Sequence, residues 1–295
     1  MEYFSNLGEK LDEHTDLINL EWNCDNVCNL ACLTCGPVFS SRWMQEINSY
    51  SWKDRRKHRI LNKSTFVIDN LDIKNLRRVY FNGGEPLLTD DHKRIMDKLR
   101  SNGRLSQCEI SYNTNCTIFP DAQTLDFWRE AKLVRLFLSL DAIGEAFEFI
   151  RWPARWHLVE KFLEFIKSQD FNIILDITCT VGIHNVFYLH TLRKWQKDNL
   201  PCNHQGDPVS LNLQPCGDMS WGGKSLSLTN VSQMVRDDIE HYCKEHDFGD
   251  VRAWLSTESN SNDDSTWIKY LDEISNVRGV DWKKSLVYLA ERCRI

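Results

Sequence analysis

Apolar and polar positions along this chain keep switching between two periods. Leu17-Ile18-Asn19-Leu20-Glu21-Trp22 alternates as a strand does, and Phe39, Trp43, Met44 and Ile47 within 39–60 recur at helical spacing. The exchange then repeats. Strand-like runs at Arg78–Phe81, Glu109–Asn115, Val134–Asp141, Asn172–Val181 and Ser210–Gln214 are separated by helical patterns over 90–101, 121–131, 154–168 and 185–198. Six strand–helix alternations predict parallel strands joined by helical crossovers. Their near-continuous apolarity predicts burial on both faces. Six units fall short of a closed eight-stranded barrel, so the expected fold is α/β, an open, partial (β/α)6 barrel. Residues 1–16 are a polar lead-in, 17–215 the barrel and 216–295 a helical cap. The cap has helices expected near 230–246, 266–277 and 282–292 and a Ser/Asn/Asp-rich linker at 256–265.

In a sheet of this kind, the loops after the strands carry the chemistry. Three features fall at those ends: a cysteine-rich loop after the first strand, Asn82-Gly83-Gly84-Glu85-Pro86 after the second, and Asn113, Ser139 and Asp141 on the next two. Composition narrows the classes. The net charge of −6 argues against a dedicated nucleic-acid binder, and the basic run Arg55-Arg56-Lys57-His58-Arg59 reads as a solvated helix end. No run of 18 apolar residues is present to span a membrane. Met1-Glu2-Tyr3-Phe4 lacks the basic-then-apolar order of a secretory signal, so a cytoplasmic location is expected. Eleven cysteines, an odd number, do not describe a secreted disulfide scaffold, and four of them crowd into 24–35.

Cys28, Cys32 and Cys35 are spaced to converge on one side of a small metal cluster. Three thiolates fill three corners of an iron–sulfur cube and leave the fourth iron open, where an electron carrier would close it with a fourth. A structural zinc site would also want a fourth ligand, and no second Cys-x2-Cys or Cys-x2-His pair occurs. Cys24 keeps an alternative open, because four thiolates at 24, 28, 32 and 35 would make a non-catalytic iron–sulfur electron carrier. Otherwise Cys24 is a small buried bystander.

Cys28-Asn29-Leu30-Ala31-Cys32-Leu33-Thr34-Cys35-Gly36-Pro37, Phe81-Asn82-Gly83-Gly84-Glu85-Pro86-Leu87-Leu88, Leu138-Ser139-Leu140-Asp141 and Phe149-Ile150-Arg151 occur in that order. Together they resemble the radical S-adenosylmethionine superfamily over roughly residues 17–215. The nearer likeness is to its peptide- and cofactor-maturing branch with twitch or SPASM extensions. The resemblance implies an enzyme of oxidoreductase or lyase type. It implies a [4Fe–4S] cluster on Cys28, Cys32 and Cys35, with S-adenosylmethionine chelated at the open iron. Reductive cleavage would yield a 5′-deoxyadenosyl radical that takes hydrogen from a substrate. Gly83, Gly84 and Glu85 would receive the methionine amino group, and Asn113, Ser139 and Arg151 the carboxylate and ribose. Asp141 would accept from the ribose or cap the helix after its strand, and Gln214 would border the adenine or the substrate. A low-potential donor such as flavodoxin or ferredoxin is implied. A peptide is the leading substrate class, and a nucleoside or small metabolite the alternative.

The chain departs from the family pattern in places. Thr34 stands where many members carry an aromatic residue, so Trp22 or Phe39 is expected to pack the adenine. Thr180-Val181-Gly182-Ile183-His184-Asn185 replaces the fifth-strand Gly-x-Ile-x-Gly-x-x-Glu. Cys202, Cys216, Cys243 and Cys293 are too scattered to predict an auxiliary cluster. Trp152, Trp156, Trp195 and Trp221 are candidates for a substrate cavity, with core packing the default. No Ser–His–Asp set or Walker-type loop is present.

Overall fold

The computed structural model describes residues 17–23, 25–51, 71–203, 206–217, 223–255 and 263–294. Six strands form one sheet: β1 (Asn19–Asn23), β2 (Arg78–Asn82), β3 (Glu109–Thr114), β4 (Leu133–Ser139), β5 (Ile173–Val181) and β6 (Ser210–Pro215). Each is parallel to the next and their spatial order is the chain order, so the sheet curls into an open, partial barrel. Between them lie α1 (Ser41–Glu46), α2 (Asp91–Ser101), α3 (Ala122–Glu130), α4 (Gly144–Ile150), α5 (Trp156–Lys167) and α6 (Leu189–Asn199). Beyond β6 follow α7 (Gly223–Leu226), α8 (Gln233–Glu245), α9 (Gly249–Trp254), α10 (Ser265–Arg278), α11 (Trp282–Ser285) and α12 (Val287–Cys293). Among the described residues no helix is long and apolar enough to cross a membrane.

Boundaries differ from the sequence expectation where local signals are weak. The helix expected over 39–60 is, in its described part, α1 followed by a 3-10 turn at Ile47–Ser49. The helix expected at 282–292 is two short pieces, α11 and α12. Helices α4 and α9 were not expected. Both are short and neither has a side-chain N-cap, so they lack the start signal that sequence reading uses.

The expectation of strands covered on both faces needs correction. Burial in β4 alternates residue by residue: Val134, Leu136 and Leu138 are buried, while Arg135, Phe137 and Ser139 are only partly so. The outer face meets the helices, for example Phe81 against Tyr112 at 5.0 Å and Tyr112 against Trp128 of α3 at 5.4 Å. The inner face mixes the Tyr80 and Phe137 rings, 5.7 Å apart, with polar side chains. Arg135 donates to Glu109 at 3.1 Å and Asp176 at 2.7 Å, and the Ser210 hydroxyl donates to Asp176, which ties β3 to β6. An open barrel leaves its concave side without helices, and the period of two puts hydrogen-bonding residues there.

The strand ends are stapled from loops. Asn185 is buried, and its amide donates to Asp141 O and Thr180 O at 3.0 Å each and accepts from Gly182 N at 2.9 Å. At the end of β2, Gly83 and Gly84 have φ of +78° and +51°. A Cβ on Gly84 would lie 2.2 Å from Val27 O, and one on Gly83 2.9 Å from Asp25 O. These glycines let the turn close on the segment that leads into the cysteine loop, where Glu85 N donates to Val27 O at 2.8 Å.

Two outcomes are expected on urea unfolding. Asn185→Ala should lose about 2–3 kcal/mol, because buried peptide groups lose their partner. Gly84→Ala should lose about 2–5 kcal/mol, the sum of left-handed strain and overpacking. Gly103→Ala is its control, since φ is +63° there but nothing stands within 4 Å of an added Cβ; strain alone should cost it about 1–2 kcal/mol.

Candidate cofactor site

Cys28–Cys35 leaves β1 as irregular backbone, so its peptide groups need partners from elsewhere. Ala31 N and Leu33 N donate to Trp152 O at 2.6 Å and Ile150 O at 2.8 Å. Ser40 Oγ donates to Leu30 O at 2.5 Å, and Ser41 Oγ to Cys28 O at 3.2 Å. Three further carbonyls are taken by large side chains. Arg278 Nη2 donates to Ala31 O at 2.7 Å, Trp43 Nε1 to Cys32 O at 2.8 Å and Tyr270 Oη to Leu33 O at 2.8 Å.

This loop forms one wall of a cavity of about 230 Å³ at the carboxyl ends of β1–β4. Cys28, Cys32 and Cys35 all line it, with Leu30, Thr34 and Phe39 beside them. The opposite wall is Gly83, Gly84 and Glu85, then Asn113, Thr114 and Asn115 from β3, Ser139 from β4, and Arg151. Eight of the residues singled out from sequence as cofactor or cluster contacts, together with Arg151, thus meet at one cavity. Asp141 and Gln214 are not in its lining.

Asp141 sits behind Arg151. Its side chain is wholly buried, Oδ2 lies 2.9 Å from Arg151 Nη2, and Oδ1 accepts from Thr180 N at 2.8 Å. It neither faces the cavity nor caps α4, whose N-terminus has no side-chain cap. Arg151 follows α4 and turns Nη1 to within 3.9 Å of Cys32 Sγ. Gln214 is exposed on β6. Thr34 and Phe39 line the cavity and Trp22 does not. Trp152, Trp156 and Trp195 are absent from the lining, and the rings of Trp156 and Trp195 meet each other at 5.1 Å. Cys24, Trp221, the basic run at 55–59 and the linker at 256–262 lie outside the described residues.

Burial pushes all three thiols up, Cys35 to about 12, with the neighbouring sulfurs adding to the rise at Cys28 and Cys35. At Cys32, Arg151 and then Arg278 oppose it. Burial likewise pushes Glu85 up to about 7, against hydrogen bonds from Asn115 N at 2.7 Å and Leu87 N at 3.4 Å. Asn115 also donates to Asn29 Oδ1 at 2.9 Å, and Asn29 donates to Thr117 Oγ1 at 2.8 Å, so the segment just after β3 grips the loop between its first two cysteines.

The donor set fits a cluster, because the thiols of Cys28, Cys32 and Cys35 line one wall of the same cavity. Among the described residues no three His, Cys, Asp or Glu side chains converge tightly enough to hold one metal ion, these cysteines included. A single zinc draws its ligands to about 2.0–2.3 Å of one centre. A cube gives each sulfur its own iron, so the sulfurs stand farther apart. Three thiols that resist ionisation alone would be ionised by iron on binding it.

Sequence reading passed over Glu46, Tyr270 and Arg278. They reach the loop across more than 230 positions of chain in the case of Tyr270 and Arg278. A basic residue in the last turn of a helix has an ordinary explanation in the helix dipole, so Arg278 carried no local signal.

Three solved structures illustrate the likeness. Native anSMEcpe with bound AdoMet is 18% identical, with 83% of this chain and 64% of that chain covered and a TM-score of 0.49. Native anSMEcpe with bound AdoMet and Cp18Cys peptide is 18% identical, over 83% and 63% of the two chains, with a TM-score of 0.47. Streptococcus suis SuiB is 14% identical, over 83% and 48%, with a TM-score of 0.45. The chain thus spans less than two thirds of these proteins' lengths. No curated protein sequence matches the chain. The Radical SAM superfamily model matches residues 22–185, more than half of the chain and the stretch that holds all three loop cysteines, the Gly-Gly-Glu turn and Arg151. The chain belongs to the radical SAM superfamily.

Proposed function

We propose that this chain is a radical S-adenosylmethionine enzyme that acts on a peptide. The observation that carries the first part is the meeting of three thiols, the Gly-Gly-Glu turn and Arg151 around one cavity. When bound, a [4Fe–4S] cluster and S-adenosylmethionine supply a 5′-deoxyadenosyl radical able to take hydrogen from an unactivated carbon.

The chain's own residues have separable tasks. Cys28, Cys32 and Cys35 hold the cluster by three corners. The Gly83–Glu85 turn offers backbone and a buried carboxyl to the methionine amino group. Arg151 presents a guanidinium to the methionine carboxylate, and Asp141 fixes its orientation from behind. Asn113 and Ser139, on the inner face beside the cavity, serve the ribose, and Phe39 gives the adenine an apolar neighbour. A reduced flavodoxin or ferredoxin is the class of donor such a cluster needs.

The peptide reading rests on the likeness of the motifs to the peptide-maturing branch and on the inner wall toward β6. There Thr178 and Thr180 of β5 pair in register with Asn212 and Gln214 of β6. Uncharged donors and acceptors along an open edge match the alternating N–H and C=O groups of an extended chain. Gln214 belongs to this substrate side.

Anaerobic reconstitution should load about four irons per chain, and dithionite with S-adenosylmethionine should give 5′-deoxyadenosine. Cys32→Ala should lose the iron and Cys24→Ala should keep it. Equal loss in both, without 5′-deoxyadenosine from the parent protein, would establish the four-thiolate carrier instead. Peptides should raise 5′-deoxyadenosine formation above the uncoupled rate. A rise with nucleosides alone would move the substrate to that class.

A further inference from the structure

Two arginines far apart in the chain flank the cysteine loop, Arg151 from mid-chain and Arg278 from α10. Arg151 is paired to Asp141 and lies against Cys32 Sγ. Arg278, the last residue of α10, has a side chain only 1% exposed and is paired to Glu46 of α1 at 2.5 Å. The Arg278 guanidinium stands 5.0 Å from the centre of the Trp43 ring, and the same Nη2 that meets Glu46 donates to Ala31 O. Tyr50 donates to the Glu46 carboxylate at 3.1 Å and its ring meets Trp43 at 5.5 Å in a tilted arrangement, and the Trp43 indole N–H holds Cys32 O. Arg278, Glu46, Tyr50 and Trp43 therefore form one buried assembly, joined to the peptide bonds on both sides of Cys32's N–Cα–C unit.

Burying an ion pair is expensive, and a well-packed apolar pair of similar volume is often as stable or more so. Carbonyl capping alone would not need a charge, since Tyr270 and Trp43 do it with neutral donors. Among the described residues Arg278 Nη1 also has no partner, so the guanidinium is not there to complete a hydrogen-bond set. What it adds beyond a neutral donor is a fixed positive charge, set in low-dielectric surroundings beside the middle thiol of the three.

We propose that Arg278 is a positioning residue for the cluster loop and that the Arg278–Glu46 pair sets the reduction potential of the cluster on Cys28, Cys32 and Cys35. The proposal rests on the cluster assignment made above. The arginine favours the reduced, more negative cluster, and Glu46 offsets it. The two members of the pair therefore act in opposite directions.

The test is a redox titration of the reconstituted protein followed by electron paramagnetic resonance, with iron content measured alongside. Arg278→Gln should lower the midpoint and Glu46→Gln should raise it, each by about tenfold in the reduced-to-oxidised ratio at fixed poise, which is about 59 mV for one electron. Arg278→Lys, which keeps the charge but not the fork, should lie closer to the parent midpoint than Arg278→Gln does. Damage to folding moves both neutral variants the same way, so opposite signs are the signature. A Glu46→Gln midpoint that is unchanged or lower overturns the proposal, even where Arg278→Gln fails to hold iron. A parent protein that binds no iron overturns the cluster assignment itself; a parent that binds iron beside variants with unmoved midpoints overturns only the role of Arg278.

Discussion

A loop without regular structure must have most of its peptide groups answered from outside itself, and Cys28–Cys35 is such a loop. Cys35 N to Cys32 O is its one internal backbone hydrogen bond among the described residues. Its amides go to the Ile150–Trp152 segment after α4. Its carbonyls go to the start of α1, to Trp43 and to α10. Each unanswered group would cost about 1–3 kcal/mol, so these contacts determine whether three thiols can be held on one wall. The requirement also explains why distant parts of the chain converge here. Helix α4 is short and uncapped, yet it delivers both the carbonyls that hold the loop and Arg151. Helix α10 follows the sheet by some fifty residues in sequence, yet two of its side chains finish the loop's hydrogen bonding.

The open barrel separates two chemistries by strand periodicity. Outward residues such as Val134, Leu136 and Leu138 pack under helices, and the inward positions of β4 stay partly exposed and include Arg135 and Ser139. Moving up the inner face from the Glu109–Arg135–Asp176 ion pairs, the charges give way to Asn113 and Ser139 beside the cavity. The ion pairs at the foot of the sheet thus give way at the mouth to Asn113 and Ser139, which share the cavity with Glu85 and Arg151. A neutral substrate segment entering by β6 would meet no unpaired buried charge on the inner strands named here.

Much of this was legible in the chain. Strand order followed from alternation at regular spacing, because a parallel sheet with local crossovers leaves the same period-two and period-3.6 record each time. The site's lining was legible where a residue sits at a strand end within a motif, as with Gly83, Gly84, Glu85, Asn113 and Ser139. Asp141 was harder. A carboxylate after a strand can face a ligand, cap a helix or hold an arginine, and only the fold shows that it holds Arg151. Gly83 and Gly84 stand out as a turn in the sequence, but only the fold shows that their missing Cβ atoms make room for Asp25 and Val27. Glu46, Tyr270 and Arg278 were not legible, because a contact between positions 31 and 278 leaves no trace in local pattern.

The electrostatic logic of the site then follows from what the thiols require. Burial and mutual repulsion hold them protonated, so the loop can carry three thiolates only with positive charge close by. Iron on these thiols would be the largest such charge, and two guanidinium groups act on Cys32 from fixed positions. Each guanidinium is paired with one carboxylate, the buried Asp141 or the partly buried Glu46, which fixes its orientation. A lysine in either place would be a mobile point charge, free to follow the nearest anion. The planar fork can bind a carboxylate with one nitrogen and still present another to the loop. Arg151 does this with Asp141 and Cys32, and Arg278 shares one nitrogen between Glu46 and Ala31 O. The site is preorganised because its charges are tied down before any ligand arrives.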